Sequence, residues 1–279
     1  MNKLFLIIVT LLLFQGCTSV FFQPNHVLYY SPDQFKIDFK SVYFKSNDKI
    51  NLHGWYLINK QKLKKPKGLI VQFHGNSQNM SSHVYSLAWL TDYGYDVFTF
   101  DYRGYGTSYF KYNKDTMVND SVAALKKAYQ LKIKNNCQKL ILYGQSLGGN
   151  MLANAYSKFP YKEKVNLLVF DSTFMNYKKV ASQTLRRSWI TYLFSPITYL
   201  LISNKYKTNN IIRDIKTKTL VIHSRSDHVV PYSNGLSLFN TLKHKNKHIW
   251  SLNKTHHIGI FNSKKSTLRD RFLKYISKN

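Results

Sequence analysis

The chain has 279 residues, of which 44% are hydrophobic and 15% aromatic, with 41 Lys and Arg against 13 Asp and Glu. This composition excludes a disordered chain, and no heptad pattern, solenoid repeat or low-complexity tract is present. The formal charge of +28 favours weak attraction to an anionic membrane surface. The lysines are scattered among asparagines and tyrosines, and only seven of the basic residues are arginine, so nucleic-acid binding is not expected.

The first segment, MNKLFLIIVTLLLFQGC, has one early lysine, an apolar run over residues 4–14 and a glycine directly before Cys17. A helix of that length rises about 16 Å, well short of the ~30 Å hydrocarbon core of a bilayer, so the run favours a signal peptide. The glycine–cysteine pair resembles a bacterial lipobox. That resemblance implies lipidation of Cys17 and a membrane-anchored place in the cell envelope, on the periplasmic side. An uncleaved membrane anchor is the alternative.

Residues 1–17 are therefore a predicted signal peptide or anchor, residues 18–30 a tether, and residues 31–279 one domain, because no linker rich in Pro, Gly or Ser divides them. FKIDFKSVYFKS and INLHGWYLIN alternate in hydrophobicity around a turn, which predicts an antiparallel pair of strands. The later predicted strands are KGLIVQFHGN, YDVFTFDYRG, KLILYGQS, VNLLVFDS, TKTLVIHSRSD and KHIWSLN. The predicted helices cover residues 78–93, 116–134, 147–158, 232–242 and 266–277.

Strands that alternate with helices predict an α/β domain with a mostly parallel central sheet and helices on both faces. In such sheets ligands bind beyond the carboxyl ends of the strands. An insertion over residues 173–215, which contains RRSWITYLFSPITYLLI, interrupts the alternation. It is either a packed excursion of the core or a small cap that lines an acyl or aromatic pocket.

The motif Gly144-Gln145-Ser146-Leu147-Gly148 stands at a predicted strand-to-helix junction and matches G-x-S-x-G. The sharp turn needs glycines on both sides and leaves the serine hydroxyl exposed, so Ser146 is the predicted nucleophile. The following helix directs unpaired N–H groups at any negative charge that forms there.

A serine nucleophile needs a base, and the base needs an orienting carboxylate. Asp227 ends a predicted strand, and the adjacent His256 and His257 follow the last one. This chain order of Ser, Asp and His is the one expected for the G-x-S-x-G architecture. Asp171 ends another strand and is the alternative acid.

An acyl-transfer site also needs hydrogen-bond donors for the oxyanion. The turn His74-Gly75-Asn76 ends an early strand and offers the Asn76 N–H, and the Leu147 N–H is the predicted second donor. His74 itself is expected to be a buried structural histidine.

HGN, DYRGYGTS, GQSLGG, SRSDHVVP and a terminal histidine motif, in this order, resemble the α/β-hydrolase superfamily. The resemblance covers roughly residues 36–277 and is greatest to membrane-attached bacterial serine hydrolases with an HGN oxyanion turn. It implies an α/β-hydrolase fold with Ser146 as nucleophile, Asp227 as acid and His257 as base. It also implies an oxyanion hole formed by Asn76 and Leu147.

These residues predict a serine hydrolase that cleaves an ester or thioester of a small molecule or a lipid at a membrane surface. A serine peptidase or amidase with the same triad is the alternative within the class, and a non-catalytic lipid-binding envelope protein is the alternative outside it. No HExxH, CxxC pair or P-loop occurs, so neither metal nor nucleotide is expected, and the chemistry needs no cofactor. Cys137 is expected to be an ordinary buried residue.

Overall fold

A computed structural model describes residues 22–187, 189–193, 195–261 and 267–278. The predicted signal peptide or anchor, Cys17 and residues 18–21 of the tether lie outside the described residues. Within those described ranges, no helix combines the length and the apolar character that crossing a bilayer requires.

The described strands form one mixed sheet in the order β1-β2-β4-β3-β5-β6-β7-β8. The antiparallel β1–β2 pair that the sequence predicts is present, and β2 is also antiparallel to β4, while the remaining neighbours are parallel. The strands are β1 Phe39–Lys45, β2 Asn51–Leu57, β3 Gly68–Phe73, β4 Tyr95–Phe100, β5 Leu140–Gln145, β6 Leu167–Asp171, β7 Thr219–Ser224 and β8 Lys247–Leu252.

Helices cover both faces of this sheet, as the alternation predicts. They are α1 Met80–His83, α2 Tyr85–Ala88, α3 Lys114–Lys134, α4 Leu147–Ser157, α5 Tyr177–Leu185, α6 Trp189–Tyr192, α7 Thr198–Leu201, α8 Asn209–Asp214, α9 Tyr232–Thr241 and α10 Thr267–Ser277. The described part of the insertion over residues 173–215 thus contains four short helices, α5 to α8, with a 3₁₀ turn at Ser195–Ile197.

Two hydrophobic cores lie on opposite sides of the sheet because successive side chains of a strand point to opposite faces. In β3, Leu69, Val71 and Phe73 join one core, whereas Ile70 joins the other. Every residue of β3 and β5 is buried, which is the pattern of parallel strands covered on both faces.

The single helix predicted over residues 78–93 is wrong, because this stretch is divided into α1, α2 and a 3₁₀ helix at Trp89–Tyr93. Hydroxyl groups in the stretch bind nearby backbone carbonyls and compete with regular helical bonding. Ser82 Oγ donates to Asn79 O, Ser86 Oγ to His83 O, and Thr91 Oγ1 to Ala88 O.

Candidate active site

Ser146 occupies the sharp turn between β5 and α4 with backbone angles of φ +52° and ψ −119°. A positive φ in a residue with a side chain stores strain, and such strain persists only where neighbours enforce it. Two contacts do so here: Ser146 N donates to Asp171 O at 2.9 Å, and Thr173 Oγ1 donates to Ser146 O at 2.5 Å. The turn therefore presents Ser146 at the carboxyl edge of the sheet.

The flanking glycines allow backbone segments to touch where no side chain would fit. A Cβ on Gly144 would lie 2.6 Å from Gly149 Cα, and one on Gly148 would lie 2.0 Å from Phe73 O. Both obstacles are backbone atoms, so neither can move aside cheaply. The glycines of the motif are thus required by the packing of α4 against β3 and β5.

His257 and Asp227 meet at the same edge of the sheet. His257 follows β8 and Asp227 follows β7, and His257 Nδ1 lies 2.8 Å from Asp227 Oδ2. The Asp227 carboxylate has no exposed side-chain surface, while the His257 ring is 15% exposed. A carboxylate at Nδ1 favours the tautomer whose proton is on Nδ1, which leaves the Nε2 lone pair available as a base.

The Asp227 carboxylate has further partners. Its Oδ1 accepts hydrogen bonds from Val229 N at 2.8 Å and Val230 N at 2.9 Å. Buried His223 donates from Nε2 to Val230 O at 2.9 Å and lies 3.4 Å from Asp227 Oδ2. Burial raises the pKa of Asp227, but the hydrogen bonds from His223 and His257 outweigh it and hold the pKa well below its usual range. Asp227 therefore stays an anion beside His257.

His256, the alternative base, and Asp171, the alternative acid, take no part in the contact between His257 and Asp227. His256 is exposed, and the structure places His257, not His256, against Asp227. Asp171 is fully buried and accepts hydrogen bonds from Tyr143 Oη at 2.9 Å and Ser172 Oγ at 3.0 Å. Burial raises the pKa of Asp171.

Asn76 and Leu147, the predicted oxyanion-hole residues, line the same cavity as Ser146. Among the described residues neither N–H donates to a protein acceptor, so both are available to a ligand. The Asn76 side chain is held in place because its Oδ1 accepts hydrogen bonds from Gln23 N at 2.7 Å and Tyr105 Oη at 3.3 Å. Free N–H donors beside a strained serine are suited to stabilising an oxyanion.

Ser146 and His257 both line a cavity of about 780 Å³. No hydrogen bond between these two described side chains is present within 3.5 Å. The insertion supplies most of the apolar wall, with Phe174, Val180, Ala181, Leu185, Ile197, Leu201 and Ile202. No Asp, Glu, Lys or Arg occurs among the described residues that line the cavity.

Sequence reasoning missed two residues that contact Asp227, the predicted acid. His223 stands four residues before Asp227, and nothing in that spacing signals its contact with the carboxylate. Arg187, two residues after α5, donates from Nη2 to Asp227 O at 3.1 Å and from Nη1 to His228 O. These bonds connect the insertion to the loop after β7 that carries Asp227. This contact is long-range and has no local sequence signal.

Cys137 and His74 are both buried, as is typical of residues with a structural role. The Cys137 thiol is buried beside Tyr56 and Asp96, and burial raises its pKa to about 12, so it is a poor nucleophile. His74 is fully buried, with Nδ1 2.8 Å from Gly75 O and Nε2 3.4 Å from Asp101 Oδ1. Within the described part of the chain, no group of three or more His, Cys, Asp and Glu side chains is arranged to hold a metal ion.

The family described as serine aminopeptidase, S33, matches residues 64–216, which is more than half of the chain. The chain belongs to this family. The matched range includes the His74-Gly75-Asn76 turn and Ser146, while Asp227 and His257 follow it.

Individual relatives agree with the family match. YfhR of Salmonella typhimurium, described as uncharacterized, is 26% identical over 285 residues, which cover 98% of this chain and 92% of YfhR. The lysophosphatidylserine lipase ABHD12 of Bos taurus is 26% identical over 186 residues, 62% of this chain and 44% of that lipase. The esterase Pf2001 of Pyrococcus furiosus superposes with a TM-score of 0.70 at 20% identity, over 92% of this chain and 96% of the esterase. The predicted α/β-hydrolase fold is thereby confirmed.

Proposed function

We propose that this α/β-hydrolase is a serine esterase or thioesterase that forms an acyl-enzyme on Ser146. The observation that carries the proposal is the 2.8 Å contact from His257 Nδ1 to Asp227 Oδ2 at the cavity that Ser146 lines. In the first step, His257 Nε2 accepts the Ser146 proton while Oγ attacks the acyl carbon. Asp227 stabilises the imidazolium that results.

The negative charge of the tetrahedral intermediate then lies on the former carbonyl oxygen. The N–H groups of Asn76 and Leu147 donate to this oxygen, and each such donor contributes about 3–4 kcal/mol of transition-state stabilisation. When the intermediate collapses, His257 returns its proton to the leaving alcohol or thiol, and the acyl group stays on Ser146. Water, deprotonated by His257, attacks that ester, releases the carboxylic acid and restores the serine.

The cavity wall favours an apolar acyl group. An aminopeptidase must hold a substrate α-ammonium group, for which a buried carboxylate is the usual partner. No Asp or Glu lines the cavity among the described residues, whereas the insertion surrounds it with aliphatic and aromatic side chains. This contrast supports an ester or thioester with an apolar acyl chain over a peptide with a free amino terminus.

Amide hydrolysis is the second candidate because the matching family is described as a serine aminopeptidase. The two candidates are separated by comparing hydrolysis of short p-nitrophenyl esters with that of aminoacyl p-nitroanilides by the same preparation. Turnover of the esters without turnover of the anilides is expected, and turnover of the anilides that Ser146→Ala abolishes would assign the protein to peptidase chemistry. Labelling by a fluorophosphonate probe, which Ser146→Ala abolishes, reports the nucleophile for both.

We further propose that the protein acts at a membrane surface of the cell envelope, held there by lipidated Cys17. The lipobox-like segment and the formal charge of +28 support this proposal, because one lipid chain and a basic surface together give stable anchoring. Fractionation of cells that express Cys17→Ser tests it. Loss of membrane association is expected, and unchanged association would leave the lipid without a role.

A further inference from the structure

The insertion exposes large apolar side chains along residues 189–200, here called the cap face. It consists of Trp189, Ile190, Tyr192, Leu193, Tyr199 and Leu200. Their exposed fractions range from 49% for Tyr199 to 87% for Trp189. Soluble proteins rarely expose so many large apolar side chains within so short a stretch unless the surface has a partner.

The cap face adjoins the catalytic cavity. Tyr199 and Leu200 are exposed on α7, while Thr198 and Leu201 of the same helix line the cavity. The end of α5 lines the cavity through Leu185, and α6, which carries Trp189, begins four residues later. A partner on the cap face would therefore lie against the helices that wall the cavity of Ser146.

The charge of the insertion indicates what that partner is. Residues 172–213 contain seven Lys and Arg and no Asp or Glu. Arg186 and Lys207 are exposed in the segments around α6 and α7, as are Arg187, which also binds the loop of Asp227, and Lys205, which pairs with Asp115. Exposed Trp, Tyr and Leu side chains surrounded by basic residues are the composition of surfaces that enter the headgroup layer of anionic membranes.

The start of the described chain lies on the same side of the molecule. Gln23 lines the catalytic cavity and donates from its backbone N to Asn76 Oδ1. Cys17, the proposed lipidation site, stands six residues before Gln23, so the proposed N-terminal attachment joins the domain beside the cavity that the insertion walls. An attached bilayer is thereby brought to the surface that carries Trp189.

We infer that the cap face docks on an anionic phospholipid bilayer and places the mouth of the catalytic cavity at the lipid surface. The apolar side chains enter the acyl-chain boundary, and the basic side chains contact lipid phosphates. The inference rests on the proposed function, since it specifies where that site meets a lipid substrate.

Tryptophan fluorescence tests the inference on the full chain bound to vesicles of phosphatidylcholine and phosphatidylglycerol with brominated acyl chains. Trp189 is exposed, whereas the other three tryptophans are at most 7% exposed, so quenching reports Trp189 alone. Quenching and a blue shift on vesicle binding are expected in the wild type, with loss of both in Trp189→Phe. The matched control is Trp189→Phe combined with Tyr43→Trp, because Tyr43 is 68% exposed on β1 at the far edge of the sheet. No quenching is expected from this control.

Three outcomes would overturn the inference: failure of the chain to float with anionic vesicles, floating without Trp189 quenching, or equal quenching at position 43. A Trp189 emission that is already blue-shifted without lipid would also overturn it. That result would mean that a second copy or the chain's own N-terminal segment covers the cap face. Ser146→Ala should dock like the wild type, while hydrolysis of a soluble short ester without vesicles measures the proposed activity separately.

Discussion

His257 Nδ1 lies 2.8 Å from Asp227 Oδ2, although the two residues are 30 positions apart in the sequence. They follow adjacent parallel strands, β8 and β7, whose carboxyl ends lie at the edge where the β5–α4 turn holds Ser146. The contact fixes the orientation of the imidazole and the position of its protons. Every step of the proposed mechanism depends on it.

Replacing the acid should separate Asp227 from its alternative. We expect Asp227→Asn to lower kcat on a short ester by about 10⁴-fold with little change in KM, because the amide favours the wrong His257 tautomer. Asp171→Asn is the matched control, since Asp171 is equally buried but bonds Tyr143 and Ser172. Steady-state kinetics on variants with wild-type circular dichroism provides the measurement, and a larger loss in Asp171→Asn would reverse the assignment.

The buried Arg103 guanidinium predicts a pH-dependent part of the stability. Arg103 donates to Asp48 at 2.6 and 2.8 Å, and this hydrogen bond lowers the pKa of Asp48 to about 2. The folded pKa is below the ordinary 3.8, so the ionised carboxylate contributes stability above pH 4, and that contribution is lost as the pH falls toward 2. Asp48→Asn should cost about 1 kcal/mol at pH 6, a modest figure because the carboxylate is half exposed.

Urea unfolding of wild type and Asp48→Asn at pH 6 and at pH 3 tests this prediction. The difference in unfolding free energy should shrink at the lower pH. Asp33→Asn serves as the control, since Asp33 accepts a hydrogen bond from Ser31 and forms no ion pair with a described residue. An equal cost for Asp48→Asn at both pH values would show that its charge contributes nothing.

The apolar wall predicts a dependence on acyl length. Ala181→Phe places a ring in the cavity. Long acyl esters should lose about tenfold in kcat/KM, because the ring displaces about two methylene groups of the acyl chain from the apolar wall. Acetyl esters should be little affected. Lys179→Phe adds the same ring to α5 at a position that does not line the cavity. A series of p-nitrophenyl esters from acetate to decanoate provides the measurement. A uniform loss along the series would mean that the acyl chain lies elsewhere.

Much of this architecture follows from local sequence. Apolar strands such as β3 and β5 and the G-x-S-x-G turn are encoded over a few neighbouring residues, so the fold and the place of Ser146 could be predicted. The contact of Arg187 with the carbonyls of Asp227 and His228 could not be predicted, because the sequence around a surface arginine does not indicate which distant residue it binds. The subdivision of residues 78–93 was also missed, since periodicity does not show when hydroxyl groups displace helical bonds.

The most direct test of the central claim is isolation of the acyl-enzyme. The full chain is mixed with a p-nitrophenyl ester, quenched in acid within one turnover and mapped by peptide mass spectrometry. Ser157→Ala, at the other end of α4, is the control for Ser146→Ala. We expect one acyl group on the peptide that contains Ser146, both in the wild type and in Ser157→Ala. Ser146→Ala should show neither the acyl group nor turnover. Turnover by Ser146→Ala at the wild-type rate, or an acyl group on another residue, would contradict the account.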